Sequence, residues 1–164
     1  MERRRPRRSD IKCKVEHMFL GQYQHSIDDK GRLTIPARYR DILAAEGAYV
    51  TLGFDRNLMV LSVPVFEHIS KLINQTSVTD PDARILRRQI YSYAELVSVD
   101  KVGRILVPQF LRDSVELGNE AMLVGAGNYF EIWSPVLWAG QISQMQSGES
   151  GALRYMDLDL SSGE

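Results

Sequence analysis

Cysteine is almost missing: Cys13 stands alone among 164 residues, which excludes an internal disulfide and a one-chain cysteine metal site. Histidine is nearly as scarce. His17, His25 and His68 are scattered, and none falls in a metal-ligand spacing. No apolar run approaches the length of a membrane-crossing helix. The first residues are basic but no apolar stretch follows them, so a secretion signal is not expected. These absences favour a reducing cytoplasm as the chain's home. Catalytic groupings are lacking as well. Cys13 sits among basic residues with no helix start to activate it. Gly125-Ala126-Gly127 lacks the Lys-Ser/Thr of a phosphate loop and reads as a hairpin turn. Asp28 and Asp29, placed on a strand, would point to opposite faces and could not share a proton task. The reading is therefore of a non-enzyme, with no cofactor, no metal and no small-molecule substrate.

What is present is ordinary in bulk and uneven in place. Hydrophobic residues make up 44% and charged residues 25%, as in a soluble globular protein. The net charge of −1 hides a split. Residues 1–40 carry eleven Lys and Arg against five acids, whereas the last twenty carry four acids against Arg154 alone. A positive end of this kind suits a polyanionic partner, although a solvated face would give the same balance.

The organising feature is a duplication. Asp28-Asp29-Lys30-Gly31-Arg32-Leu33-Thr34-Ile35-Pro36 returns as Asp100-Lys101-Val102-Gly103-Arg104-Ile105-Leu106-Val107-Pro108, at a constant offset of 72 residues. Arg40 and Asp41 recur as Arg112 and Asp113 at the same offset. A fixed period with shared chemistry marks two copies of one structural unit.

Each copy reads as strand, tight turn, strand, short helix and hairpin. Gly31 and Gly103 suit a hairpin turn that needs positive φ. Leu33 and Ile35 alternate with Arg32 and Thr34, the period of a half-buried strand. Pro36 and Pro108 stop the strand and suit a helix start, with Gly47 and Gly118 expected just past the helix ends. A first strand is expected over 19–27. Second hairpins follow, at 48–61 and 121–133, each leading through Ser and Pro into a helix. Asp80-Pro81 opens a connecting helix, with Ile85, Leu86 and Ile90 expected on one side. The divisions are a basic, flexible extension (1–17), repeat one with its helix (18–75), a connecting helix (76–93), repeat two with its helix (94–146) and a flexible acidic tail (147–164).

The Asp-x-x-x-Arg pairs, Asp28 with Arg32 and Asp100 with Arg104, support two readings. Each is an exposed salt bridge of little energetic weight that only orders its turn. Alternatively, each Asp holds a guanidinium in place so that Arg meets a phosphate or a base edge without first losing rotamer freedom. A protruding two-stranded ribbon fits the major groove, where Arg on guanine is the commonest specific contact. Spacing does not choose between them.

The double motif, together with Met18-Phe19-Leu20-Gly21 before it and Ala37-Arg38-Tyr39-Arg40 after Pro36, closely resembles the bacterial MraZ family over about residues 18–145. The resemblance implies an α+β, β-rich fold: two AbrB-like repeats forming a pseudo-twofold swapped-hairpin β-barrel with flanking helices. It implies a DNA-binding transcriptional regulator, usually a repressor of its own division and cell-wall gene cluster. The protein would be cytoplasmic, nucleoid-associated and assembled as a ring-shaped homo-oligomer. Carried over by motif position, the DNA contacts are Lys30, Gly31, Arg32, Arg38 and Arg40 in the first copy, with Lys101, Arg104 and Arg112 in the second; Asp28 and Asp100 brace the turns. The expected partners are double-stranded promoter DNA with short direct repeats and further copies of the chain, without a membrane. The alternative is a ring-forming assembly protein whose Asp-x-x-x-Arg turns only stabilise the barrel. The copies are not equivalent: Lys30, Thr34 and Arg38 are matched by Val102, Leu106 and Phe110. The first copy is accordingly expected to carry most DNA affinity and the second more of the packing.

Overall fold

A computed structural model describes residues 17–147. The expectations for the basic extension and the acidic tail, Cys13 included, lie outside the described residues, His17 and Ser147 apart. The fold is α+β with antiparallel strands throughout its sheets. In the first copy the elements are β1 (Gln22–Ser26), β2 (Arg32–Thr34), α1 (Ala37–Ala44), β3 (Ala48–Leu52), β4 (Leu58–Ser62) and α2 (Val63–Asn74). The connecting helix is α3 (Pro81–Tyr91). The second copy gives β5 (Glu95–Val97), β6 (Arg104–Leu106), α4 (Gln109–Ser114), β7 (Glu120–Gly125), β8 (Tyr129–Trp133) and α5 (Pro135–Gln146).

Strand pairing interleaves the copies. One sheet runs β1-β7-β8-β4-β3-β5, and β2 pairs with β6 as a separate two-stranded ribbon. The hairpins β3–β4 and β7–β8 are internal to their copies. The pairings β1–β7, β3–β5, β4–β8 and β2–β6 each join one copy to the other. The six-stranded sheet is open, with β1 and β5 as its edges. Both ribbon strands stop after three residues, where Pro36 and Pro108 start the following helices.

Burial follows the alternation. Leu33, Ile35, Ile105 and Val107 turn inward to join Phe19, Tyr39, Val60, Leu111, Phe130 and Ile132 in one core built by both copies. Strand β4 is covered on both faces: Leu58 and Val60 enter that core. Met59 and Leu61 enter a second, beneath Phe66 and Ile73 of α2 and Ile90 of α3. Burying both faces explains why Leu58-Met59-Val60-Leu61 is a continuous apolar run.

Several local expectations are corrected. Only Gln22–Ser26 forms a ladder; Phe19 and Ile27 make isolated bridges, and Gly21 breaks the strand at φ +87°. Asp28 and Asp29 lie in the turn, not on the strand. Gly47 does end α1, at φ +77° with its N–H on the Leu43 carbonyl. After α4, however, Glu116 takes the positive φ (57°), and Gly118 does not. On α3, Leu86 and Ile90 pack inward as expected, but Ile85 is exposed.

Candidate nucleic-acid interface

Each turn is built the same way. The Asp28 carbonyl accepts the Gly31 N–H at 3.0 Å, the Asp28 N–H returns to the Arg32 carbonyl at 3.1 Å, and Gly31 lies at φ +85°. This is a three-residue hairpin loop with a bulge glycine, which fixes why glycine stands there. The Asp28 carboxylate completes it. Oδ1 accepts the N–H groups of Lys30 (3.0 Å) and Arg32 (2.9 Å), and Oδ2 accepts Arg32 Nε at 2.6 Å. Asp100 repeats this on Val102 N–H (2.9 Å), Arg104 N–H (2.9 Å) and Arg104 Nε (3.0 Å). Arg104 Nη1 also approaches Asp28 Oδ2 at 3.7 Å, so the two braces touch across the ribbon. Both carboxyls are held below the ordinary aspartate value, chiefly by the backbone N–H of Arg32 and of Arg104 respectively.

The β2–β6 register decides which side chains share a face. Arg32 lies opposite Leu106, Leu33 opposite Ile105, and Thr34 opposite Arg104. Since Leu33 and Ile105 are buried, Arg32, Thr34, Arg104 and Leu106 occupy the outward face together. Lys30 and Lys101 are exposed on the flanking turns. Helix α1 is anchored by Tyr39, which packs edge-on to Phe19 at 5.0 Å and donates its hydroxyl to the Leu20 carbonyl at 2.8 Å. Burial pushes that hydroxyl up to about 12. With Tyr39 fixed, Arg38 on one side of it is exposed and Arg40 on the other is half-buried.

Arg40 and Arg112 bind the halves together. Arg40 Nε donates to the Ile35 carbonyl at 2.7 Å and Arg112 Nε to the Val107 carbonyl at 3.0 Å. Each guanidinium then covers the glycine corner of the other copy. A Cβ on Gly31 would stand 2.7 Å from the Val107 carbonyl oxygen and 2.9 Å from Arg112 Nε, and one on Gly103 would fall on the Arg40 guanidinium. The Ile35 N–H to Gly103 carbonyl bond and the Val107 N–H to Gly31 carbonyl bond, both 2.9 Å, complete the lock. Gly31, read from the motif as a contact, is therefore buried, and its carbonyl is engaged by the other copy.

The structure thus brings Lys30, Arg32, Lys101 and Arg104 to one ribbon, puts Arg38 on the adjoining helix, and seats Arg40 and Arg112 inward. Of the second copy's apolar replacements, Val102 and Leu106 are exposed at 66% and 54% and join neither core, while Phe110, 44% exposed, lies beside Tyr93 with ring centroids 6.1 Å apart. The motif alone does not mark Thr34 and Leu106 as site residues; their shared face is legible from the period-two spacing with Arg32 and Arg104. Among the described residues there is no group of three or more potential metal ligands, and no helix is long and apolar enough to cross a membrane.

Comparison with known proteins returns one family twice along the chain. The MraZ protein family model, described as putative antitoxin-like, matches residues 18–89 and again 90–155. A transcriptional regulator MraZ of Roseiflexus castenholzii is 46% identical over 133 residues, covering 81% of this chain and 92% of the relative. The protein of the same name from Thermomicrobium roseum is 44% identical over 142 residues (86% and 99%). One from Desulfitobacterium hafniense is 38% identical over 135 residues (82% and 94%).

Proposed function

The chain belongs to the MraZ family, and from that premise we propose that it is a sequence-specific DNA-binding transcriptional regulator. The observation that carries the reading is the pair Arg32 and Arg104 on one outward ribbon face, each held by its own aspartate. A guanidinium fixed before binding loses little entropy on meeting guanine or phosphate. A two-stranded ribbon has the dimensions that the major groove admits. Lys30, Lys101 and Arg38 supply phosphate contacts at the margins. Arg40 and Arg112 support the surface from beneath, and Gly31 serves it through the shape of the turn.

One ribbon with so few cations binds weakly, with an affinity that falls as salt rises. We take the working form to be a ring of copies, each an interleaved pair of AbrB-like halves closing as a swapped-hairpin barrel. Several ribbons on one ring reach neighbouring sites at high effective concentration. Cyclic copies repeat one orientation, so the operator is a set of short direct repeats spaced by about one helical turn, roughly 10 base pairs. Occupying its own promoter represses the division and cell-wall gene cluster by blocking polymerase, in the cytoplasm at the nucleoid.

The contact between Arg104 and Asp28 favours a second reading, in which these arginines only tie the barrel and the ring itself is the function. A gel-shift titration on DNA upstream of the chain's own gene separates the two. DNA binding predicts salt-dependent affinity that Arg32→Ala weakens about tenfold or more, with Arg104→Ala milder. A folded Arg32→Ala protein with unchanged affinity returns the assembly reading, and an equal or greater loss for Arg104→Ala overturns the ranking of the two copies.

A further inference from the structure

The outward ribbon face is twofold in backbone but not in chemistry. Position 34 and its counterpart 106 are threonine and leucine, so the face carries one apolar side chain among two arginines and a hydroxyl. Leu106 belongs to neither hydrophobic core. Leu33 and Ile105 fill the inner side of the ribbon completely, while Leu106 is 54% exposed opposite Arg32. Directly opposed residues on an antiparallel pair hold their Cβ atoms about 5 Å apart. Anything that Arg32 touches therefore lies beside whatever Leu106 touches. If Arg32 enters the major groove, its neighbour meets the same groove floor, where the apolar group on offer is the C5 methyl of thymine.

We propose that Leu106 is a specificity-determining residue that reads a thymine methyl group next to the base or phosphate taken by Arg32. This rests on the DNA-binding reading and refines it: the two halves of the ribbon do not read the same base. The first half presents Thr34 beside Arg104, and the second presents Leu106 beside Arg32. One ribbon then has a direction on DNA, as a binding site of direct rather than inverted repeats requires.

The test removes the methyl groups without touching a hydrogen-bonding edge. The upstream fragment is amplified once with thymidine triphosphate and once with deoxyuridine triphosphate, and both are titrated with the full-length protein and with Leu106→Ser. Wild type binds the uracil fragment about three- to fivefold more weakly for each thymine methyl removed from beneath a ribbon. Leu106→Ser shows that weakening already on thymine DNA and no longer distinguishes the fragments. Its salt dependence stays that of wild type, because no cation has been removed. Equal binding of both fragments by wild type overturns the proposal, as does a Leu106→Ser protein that still prefers thymine. A Leu106→Ser protein of lower mass by light scattering also overturns it, by assigning Leu106 to a contact between copies. Absence of salt-dependent binding to either fragment would sink the DNA-binding reading itself.

Discussion

Asp28 satisfies three donors with two oxygens: two backbone N–H groups of its own turn and the Nε of the arginine it presents. Turn geometry and guanidinium orientation are therefore one problem at this residue, and substitutions can separate them. Asp28→Asn keeps an oxygen for the amides but loses the charge; Asp28→Ala loses both. DNA affinity should fall about three- to tenfold in the alanine protein, the scale of one long side chain left to be ordered on binding. The asparagine protein should fall between that and wild type, with thermal unfolding showing all three folded. Acid separates the states further. Both carboxyl pKa values lie below the ordinary 3.8, so the bracing is complete above that value. It is lost as pH falls through the lowered values. Amide shifts of Lys30 and Arg32 followed from about pH 5 to pH 2 should report a transition centred below 3.8. The transition should be missing in Asp28→Asn.

The elements show how much the repeat could reveal. Turn, strand, proline and helix are legible in each copy because Gly31 admits the positive φ of the turn, Leu33 and Ile35 alternate with polar residues at the strand period, and Pro36, with φ fixed and no N–H, ends the strand where a helix can begin. The second corner behaves alike despite Val102 and Leu106, since its glycine and proline are kept. What could not be read was where Arg40 and Arg112 go. A half-exposed helical arginine after a basic motif suggests a ligand contact; only the pairing of one copy with the other reveals a glycine corner waiting beneath it. Gly118 misleads for a related reason, because α4 ends early and Glu116 takes the left-handed turn. The two glycines make a controlled comparison. Gly103→Ala places a Cβ at φ +86° on the Arg40 guanidinium, and should cost about 1–3 kcal/mol in denaturant unfolding. Gly118→Ala has open space and no positive φ, and should change stability by less than about 0.5 kcal/mol.

At the scale of the whole molecule, sequence halves are not structural halves. Four strand pairings cross between the copies, and one core draws Leu33, Ile35 and Tyr39 from the first and Ile105, Val107 and Leu111 from the second. Cutting the chain near residue 93 would strip β3 of β5, β4 of β8, and β2 of β6, leaving β1 with no neighbour in the sheet. The hairpin that remains, β3–β4, would carry Val50, Leu58 and Val60 with little to bury them. Residues 18–93 and 94–147 made separately should therefore show no cooperative unfolding as monomers. Mixed, they should recover the circular dichroism and salt-dependent DNA binding of the intact chain, because every severed pairing is available again in the other fragment. A first fragment that assembles with itself would show that its own strands can stand in for β5–β8. It would still place Thr34 where Leu106 belongs, and so present two identical arginine turns with no leucine between them. A monomeric, cooperatively folding fragment of either kind would mean that the pairings between copies do not hold the fold together.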